Sequence, residues 1–319
     1  MKSLILPPLS ALYGAVTRTR LSLYRRGTLH STRLDRPVIS VGNITTGGTG
    51  KTPLVEWVTR TLAADGKRVC ILTRGYGRDN PQQRVVVSDG HTVLATPAEA
   101  GDEPFLLATN LLGSAAVISS GNRVAAGEEA IKQFGVDCFV LDDGFQHLRV
   151  ERDLNILTID ATNPWGGGHL LPYGRLREPR EGLSRADCIV ITRTDQAGVD
   201  SLREEILRLN SDAPVFQSRM RILHVVPLRS FETGRPPKSP VAAFCAVGNP
   251  RSFFNQLKRE NYELVLEKAF TDHHPYSQSD IDSLVEAARN AGANSLITTA
   301  KDAVKLQSIS FSLPCYVLE

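Results

Sequence analysis

Apolar positions along this chain follow two rhythms. From Pro37 onward, short continuous runs recur: Val38-Ile39-Ser40-Val41, Val69-Cys70-Ile71-Leu72, Ala115-Ala116-Val117-Ile118, Cys138-Phe139-Val140-Leu141, Ile156-Leu157-Thr158-Ile159 and Cys188-Ile189-Val190-Ile191. Runs of that length read as strands buried on both faces. Between them, helix-length patterns are predicted over about Lys51 to Ala64, Pro104 to Leu112 and Arg123 to Phe134. The alternation predicts an α/β fold, a mostly parallel sheet flanked by helices. Val85-Val86-Val87 and Thr92-Val93-Leu94, joined through Asp89-Gly90, read as a hairpin.

The rhythm breaks at Pro227 to Pro240, where Gly234, Pro236, Pro237 and Pro240 predict an exposed linker. A smaller α/β unit is predicted beyond it, with strands near Val241 to Ala246, Ser295 to Thr298 and Tyr316 to Leu318. The expected organisation is therefore an N-terminal helix over 1–30, a core domain over 31–226, a linker over 227–240 and a smaller domain over 241–319.

The first 36 residues have a different character. Lys2, Arg18, Arg20, Arg25, Arg26, Arg33 and Arg36 face one acid, Asp35, so this segment carries +6 while the whole chain carries +3. If a helix starts after Pro7-Pro8, then Leu9, Leu12, Tyr13, Val16, Leu23 and Tyr24 fall near one face. No run reaches the roughly 18 to 20 apolar residues of a spanning helix, and the two prolines interrupt what a signal peptide would need. Two readings fit: a helix lying on an anionic membrane surface, or a basic amphipathic helix packed on its own domain. The five cysteines, Cys70, Cys138, Cys188, Cys245 and Cys315, sit in or beside apolar runs without metal-ligand spacing. They read as reduced core residues of a cytosolic protein.

The sharpest chemistry lies at Gly42-Asn43-Ile44-Thr45-Thr46-Gly47-Gly48-Thr49-Gly50-Lys51-Thr52, between a predicted strand and a predicted helix. That is the context of a P-loop, in which backbone N–H groups and a helix N-terminus cradle phosphates. Lys51 is placed to reach the β- and γ-phosphates and Thr52 to ligate magnesium. Asn43, Thr46, Gly47, Gly48, Thr49 and Gly50 complete the expected nucleotide site. Asp142-Asp143 end the strand from Cys138, where a parallel sheet presents ligands, and suit magnesium ligation. The competing reading is a plain Asp-Asp-Gly turn with Gly144.

Four further segments are dense in reactive side chains: Thr73 to Arg78, Gly101 to Pro104, Gly144 to His147, and Asp272 to Tyr276. Arg74 and Arg78 are suited to a phosphate or another anion. Asp102 reads either as a helix N-cap or, alone or paired with a histidine such as His273 or His274, as the base that takes a hydroxyl proton. Gly166 to Pro179 is Gly-rich and basic, yet carries Leu-Leu-Pro-Tyr, which points to a functional loop.

In their order, these segments resemble the tetraacyldisaccharide 4′-kinase family of lipid A biosynthesis. The matching stretches are Val41 through Pro53, Thr73 to Arg78, Gly101 to Pro104 and Asp142-Asp143-Gly144-Phe145-Gln146-His147. They continue through Gly168 to Pro179, Arg185-Ala186-Asp187, Phe270 to His274 and Thr299 to Lys305. The resemblance implies a P-loop NTPase-like kinase that moves the γ-phosphate of ATP to the 4′-hydroxyl of a tetraacyldisaccharide 1-phosphate, using Mg2+. It implies that Asp102 and His273 act as a catalytic dyad alongside Lys51. It implies too that Thr52, Glu103, Asp142 and Asp143 serve the metal, and that the smaller domain closes over the active site. Arg74, Tyr76, Arg78, Gln146, His147 and Arg175 become candidate substrate contacts. The N-terminal helix would rest on the cytoplasmic face of the inner membrane as a peripheral anchor, and no nucleic-acid partner is expected. The chain departs from the family pattern at Gly166-Gly167-Gly168-His169, at Tyr173 and Arg175, and at Ala300.

Two rivals come from other classes. A P-loop GTPase or metallochaperone would carry an Asn/Thr-Lys-x-Asp guanine-reading segment, which Thr192-Arg193-Thr194-Asp195 imitates with arginine in place of lysine. A partitioning ATPase would carry a lysine early in the loop, where this chain has Thr45-Thr46.

Overall fold

A computed structural model describes residues 2–221, 224–228, 237 and 239–318, with side chains from residue 5. The chain forms two compact units, 1–220 and 221–319.

The first unit begins with helix α1 (Lys2–Arg25). Strands β1 (Val38–Asn43), β2 (Val69–Thr73), β3 (Val85–Ser88), β4 (Ala115–Ser119), β5 (Cys138–Asp142), β6 (Leu154–Asp160), β7 (Cys188–Thr192) and β8 (Val215–Gln217) follow in sequence. They assemble in the order β3-β4-β2-β5-β1-β6-β7-β8, with only β3 antiparallel. Helices α2 (Lys51–Ala64), α3 (Pro97–Ala100), α4 (Asp102–Asn110), α5 (Arg123–Phe134) and α6 (Asp200–Leu209) connect them. The apolar runs are continuous because helices cover both faces. Ile71, Val117 and Val140 pack in one cluster, while Cys70, Ile118 and Leu141 pack in another. This burial of both sheet faces supplies the main driving force of the unit.

The second unit has strands β9 (Val225–Pro227), β10 (Val241–Cys245), β11 (Leu264–Ala269), β12 (Ser295–Thr299) and β13 (Cys315–Leu318), with helices α7 (Pro250–Arg259), α8 (Gln278–Asn290) and α9 (Ala300–Ala303). Their order is β11-β10-β12-β13-β9, parallel except for β9.

Three expectations change. The division between units falls before the Pro-rich stretch, because Val225 to Pro227 pairs with β13 and so belongs to the second sheet. Of the predicted linker, residues 229–236 and 238 lie outside the described residues. The predicted hairpin is reduced to one bridge, Ser88 to Val93, and a bond from Leu94 N to Val87 O. The full ladder partner of β3 is β4, whose apolar edge offers more burial.

Helix α1 also starts earlier than predicted and runs through Pro7 and Pro8. Both prolines lie in the first two turns, so their missing N–H groups remove only early intrahelical bonds. Its apolar face is split. Tyr13 donates its hydroxyl to Arg177 O at 2.8 Å, Ser10 donates to Leu170 O at 2.8 Å, and Gly14 packs on Leu170. Ile5, Leu9, Leu12 and Val16, spaced four, three and four residues apart, are instead 58%, 45%, 62% and 60% exposed. The helix is thus packed on its own unit by one side and presents an apolar stripe to solvent on another.

Candidate active site

The P-loop leaves the centre of the large sheet. Strand β1 lies between β5 and β6, and Val41 is in register with Asp142. Phosphate loop and acidic pair therefore emerge level at the carboxyl edge of adjacent parallel strands, where α/β sheets bind ligands. Gly50 caps α2 with φ 78°, a left-handed turn that glycine adopts without penalty. Lys51 and Thr52 are the first two residues of that helix. The helix N-terminus thus points its unpaired N–H groups into the loop.

The loop is held open by its own side chains and by two neighbouring segments. The Asn43 amide donates to Thr45 O at 2.7 Å and to Thr49 Oγ1 at 3.0 Å, and Lys51 Nζ donates to Asn43 Oδ1 at 3.2 Å. From β7, Thr192 Oγ1 donates to Thr49 O at 2.9 Å and Arg193 donates to Gly48 O at 2.7 Å while pairing with Asp160. Arg193, the residue that mimics a guanine-reading lysine, is buried and braces the phosphate loop. On the other side, the Gly-rich segment folds back as a strap: Thr46 N donates to Arg175 O and Arg177 N to Ile44 O, both at 2.7 Å. That segment is the one α1 packs against.

The two adjacent aspartates differ sharply. Asp143 has φ 52°, a left-handed conformation that aspartate tolerates. Arg177 donates to both its carboxylate oxygens at 2.7 and 2.8 Å, and Lys51 Nζ lies 3.5 Å away. Burial works to raise its pKa, but Lys51 and Arg177 outweigh burial and hold it well below the usual carboxylate range. Asp142 accepts from Thr73 Oγ1 at 2.9 Å. Burial first, then the nearby Glu103 and Asp143 carboxylates, push its pKa up to about 6. The buried Arg123 lies beneath both, donating to Asp142 O at 2.8 Å and Asp143 O at 3.3 Å.

This crowding identifies which residues fit a divalent cation. Among the described residues there is no cluster of three or more metal-ligating side chains. Mg2+ in kinases is held by one or two carboxylates together with substrate phosphates. Asp142, with Glu103 beside it and Thr52 at the head of α2, has that composition, whereas Asp143 is already neutralised by two cations.

A stability prediction follows from the sign of the Asp142 shift. A carboxyl whose folded pKa exceeds its unfolded value contributes stability below about pH 4 and loses that contribution as pH rises through about 6. Ionised Asp142 therefore weakens the nucleotide-free protein at pH 7.5. Asp142→Asn, which keeps an acceptor for Thr73, is expected to stabilise the free protein by roughly 1–3 kcal/mol at pH 7.5 and hardly at all near pH 4. Thermal melts at both pH values check this; equal destabilisation at both would contradict the crowding.

The other candidate residues divide by environment. Gly101, not Asp102, is the N-cap of α4, and Asp102 is its first helical residue. Gly101 has φ 92°, and a Cβ there would lie 2.7 Å from Tyr76 O. The bare backbone thus lets the Arg74–Tyr76 segment press against the start of α4. Arg74 donates to the Tyr76 hydroxyl at 3.2 Å and lies over its ring, and both side chains are exposed. Arg78 is buried and bonds Ser119 O at 2.9 Å and Ser119 Oγ at 3.1 Å, holding its own loop. Gln146 donates to Asn43 O at 2.8 Å and to Glu178 at 2.7 Å, tying the strand of the P-loop to the strap. His147 is half-buried, and its pKa is pushed down to about 3 by burial and then by Arg123 and Arg152, so it is neutral at pH 7. The Arg175 side chain is exposed.

His273 lies in the second unit, in the turn after β11, with φ 61°. Its Nε2 is 3.2 Å from Lys301 Nζ. Bracing roles that the sequence does not announce belong to Arg123, Arg177, Glu178 and Arg193. Arg177 and Glu178 stand inside the Leu-Arg-Glu-Pro stretch, which was the available signal. Nothing in the sequence separates Arg123 from a solvated helix residue.

The whole chain, over residues 2–319, matches the family model for tetraacyldisaccharide-1-P 4′-kinase. It is 43% identical over 309 residues to the tetraacyldisaccharide 4′-kinase of Geobacter sulfurreducens, covering 96% of this chain and 85% of that protein. It is 44% identical over 307 residues to the protein of the same name from Geobacter metallireducens, covering 95% and 88%. Among solved structures it is similar to the "apo" form of LpxK from Aquifex aeolicus in complex with ATP, with TM-score 0.75, 32% identity, and coverage of 98% of this chain and 91% of that one. The chain belongs to the tetraacyldisaccharide-1-P 4′-kinase family.

Proposed function

We propose that this chain is an ATP-dependent kinase that transfers the γ-phosphate to the 4′-hydroxyl of a tetraacyldisaccharide 1-phosphate at a membrane surface. The observation that carries the reading is the level placement of Lys51 and the Asp142–Asp143 pair at the mouth of β1 and β5, within a chain of this family. A lipid kinase needs its phosphates held, developing charge neutralised and one hydroxyl relieved of a proton.

Lys51 and the α2 N-terminus bind the phosphates, and Asn43 keeps Lys51 aimed along the loop. Bound Mg2+ would neutralise charge on the transferring phosphoryl group. Asp142, Glu103 and Thr52 are the residues assigned to hold it. Arg177 and Lys51 keep Asp143 ionised, so it orients Lys51. Asp102 stands at the head of α4, where the helix dipole favours a carboxylate. It is assigned as the base nearest the acceptor hydroxyl, and His273 is assigned as the second residue of the acid–base step. Arg74, Tyr76 and Arg175 are the proposed first contacts of the lipid headgroup, while Arg78, Gln146 and His147 shape the surface behind them.

The exposed stripe on α1 supports attachment to the cytoplasmic face of the inner membrane. Among the described residues no helix is long and apolar enough to cross a membrane. Ile5, Leu9, Leu12 and Val16 instead suit insertion at the lipid boundary, with the exposed Arg18, Arg25 and Arg26 toward anionic headgroups. Leu9→Glu combined with Leu12→Glu is expected to weaken binding to anionic vesicles by roughly 10²-fold, the effect of withdrawing two leucines from an apolar environment. Co-sedimentation measures this, and unchanged binding of the double variant would remove the stripe from the membrane reading.

The reaction itself is tested by ADP release from ATP with and without the lipid acceptor. Acceptor-stimulated release with ATP is expected. Turnover that needs guanine nucleotide and ignores the acceptor would favour a switch protein instead.

A further inference from the structure

The second unit contains a polar cluster with more internal bracing than a single histidine needs. His273 has a left-handed backbone, a conformation that a non-glycine residue keeps only when its surroundings impose it. The turn is fixed by His273 N donating to Ala246 O at 3.2 Å and His274 N donating to Thr271 O at 3.0 Å. Facing the ring is Lys301, on the short helix α9 at the carboxyl end of β12, with Nζ 3.2 Å from His273 Nε2. Asp272 Oδ1 is 3.6 Å from the same ammonium and 4.0 Å from Nε2.

Lys301 has little freedom to be elsewhere. Its neighbour Asp302 is fully buried and accepts from Ala246 N at 3.1 Å on both oxygens, from Tyr276 Oη at 3.1 Å and from Thr299 Oγ1 at 2.7 Å. Lys305 Nζ lies 3.8 Å from Asp302 and donates to His274 O at 3.2 Å. Asp302 therefore ties the end of β10, the Tyr276 segment and α9 together, and this fixes both sides of the Lys301–His273 contact. A surface ion pair of Lys301 with the part-exposed Asp272 would be worth little and would need none of this bracing.

An ammonium has three donors and no acceptor. A neutral imidazole that meets it through Nε2 must present the Nε2 lone pair, and its one proton then sits on Nδ1. We propose that Lys301 is a positioning residue for phosphoryl transfer, which locks His273 as the Nδ1–H tautomer with Nε2 engaged as an acceptor. In that arrangement Nδ1–H is left to donate a hydrogen bond that orients the carboxylate taking the hydroxyl proton, and the ring itself neither gains nor loses a proton. This inference rests on the reading of His273 as a partner in the acid–base step.

The test uses the full-length protein with 15N-labelled histidine and two-bond 15N–1H correlation spectra at neutral pH, His273 being assigned by the signal lost in His273→Gln. The wild type should show the Nδ1–H tautomer at His273. Lys301→Met should release the ring to the Nε2–H form that free imidazole side chains favour, and lower kcat about tenfold or more, within the range of acid–base effects. Its KM for ATP should stay within about twofold, because the phosphates are held in the other unit. Lys301→Arg, which keeps a donor, should restore the tautomer and most of kcat. An Nε2–H tautomer or an imidazolium in the wild type overturns the proposal, and so does an unchanged tautomer in Lys301→Met. If Lys301→Met does not fold, the wild-type tautomer and the Lys301→Arg spectrum decide. If the tautomers behave as expected while His273→Ala retains full kcat, the catalytic reading of His273 fails and the Lys301 contact stands as structure alone.

Discussion

Replacement of Lys51 by alanine should lower kcat by roughly 10³-fold and leave the protein folded. Lys51 is a cation at the head of α2, held between Asn43 Oδ1 and Asp143 Oδ1. Loss of one preorganised charge-stabilising donor typically costs 10²–10³ in rate, and here the donor also carries a full charge. Folding should survive because Asp143 keeps both contacts to Arg177 at 2.7 and 2.8 Å. The loss therefore leaves no uncompensated buried carboxylate, the usual cause of severe destabilisation. Steady-state kinetics with a thermal melt measure both halves. Near-normal turnover would remove the phosphate-loop assignment, and loss of the fold would mean that Arg177 does not suffice.

The second large effect concerns Asp102 and His273. Asp102→Ala and His273→Ala should each lower kcat by roughly 10²-fold or more, the usual size of a general-base contribution. The double variant should be scarcely worse than the worse single one, because members of one catalytic unit are strongly non-additive. ATP affinity should change little in any of the three, since the phosphates are held by Lys51, Thr52 and the loop backbone. His274 serves as the contrast. It pairs with Asp280 at 3.3 Å and stacks on Phe270, so His274→Ala should act through local stability more than through kcat. Fully multiplicative losses in the double variant would mean two separate roles. A large loss of ATP affinity at Asp102 would move that residue into the metal site.

Much of this fold is legible because a parallel sheet covered on both faces writes its strands as unbroken apolar runs. The runs at Val38, Val69, Ala115, Cys138 and Cys188 all became strands, and the helix beginning at Lys51 ends at Ala64 as the pattern predicts. The weaker strands were not legible. Val225 to Pro227 ends in a proline and lies at a sheet edge, where a missing N–H is tolerated, so its composition resembles a linker. Around the site, the residues proposed to hold phosphate carry a motif, while the sequence does not say what the bracing residues hold. Arg123 looks in sequence like a solvated cation, Arg177 like one residue of a functional loop and Arg193 like an imitation of a guanine-reading lysine. Only the fold shows them beneath carbonyl groups and carboxylates of the two adjacent segments. Asp102 has the composition of a cap followed by an early proline, yet the capping position goes to Gly101, whose φ of 92° no aspartate adopts readily.

Contact geometry also gives the strap a role that its sequence only hinted at. Residues 170–177 touch α1 through Leu170 O and Arg177 O and touch the P-loop through Thr46 N and Ile44 O. The helix that carries the exposed apolar stripe is therefore two hydrogen-bonded steps from the Gly-rich loop that precedes α2.

Incubation of the full chain with ATP, Mg2+ and a tetraacyldisaccharide 1-phosphate, followed by mass spectrometry of the extracted lipid, tests the central claim most directly. The account predicts a product heavier by one phosphoryl group, with fragmentation placing it at the 4′ position and with roughly 10³-fold slower product formation by Lys51→Ala. Unmodified lipid alongside active ATP hydrolysis, or a phosphate at another position, would contradict it.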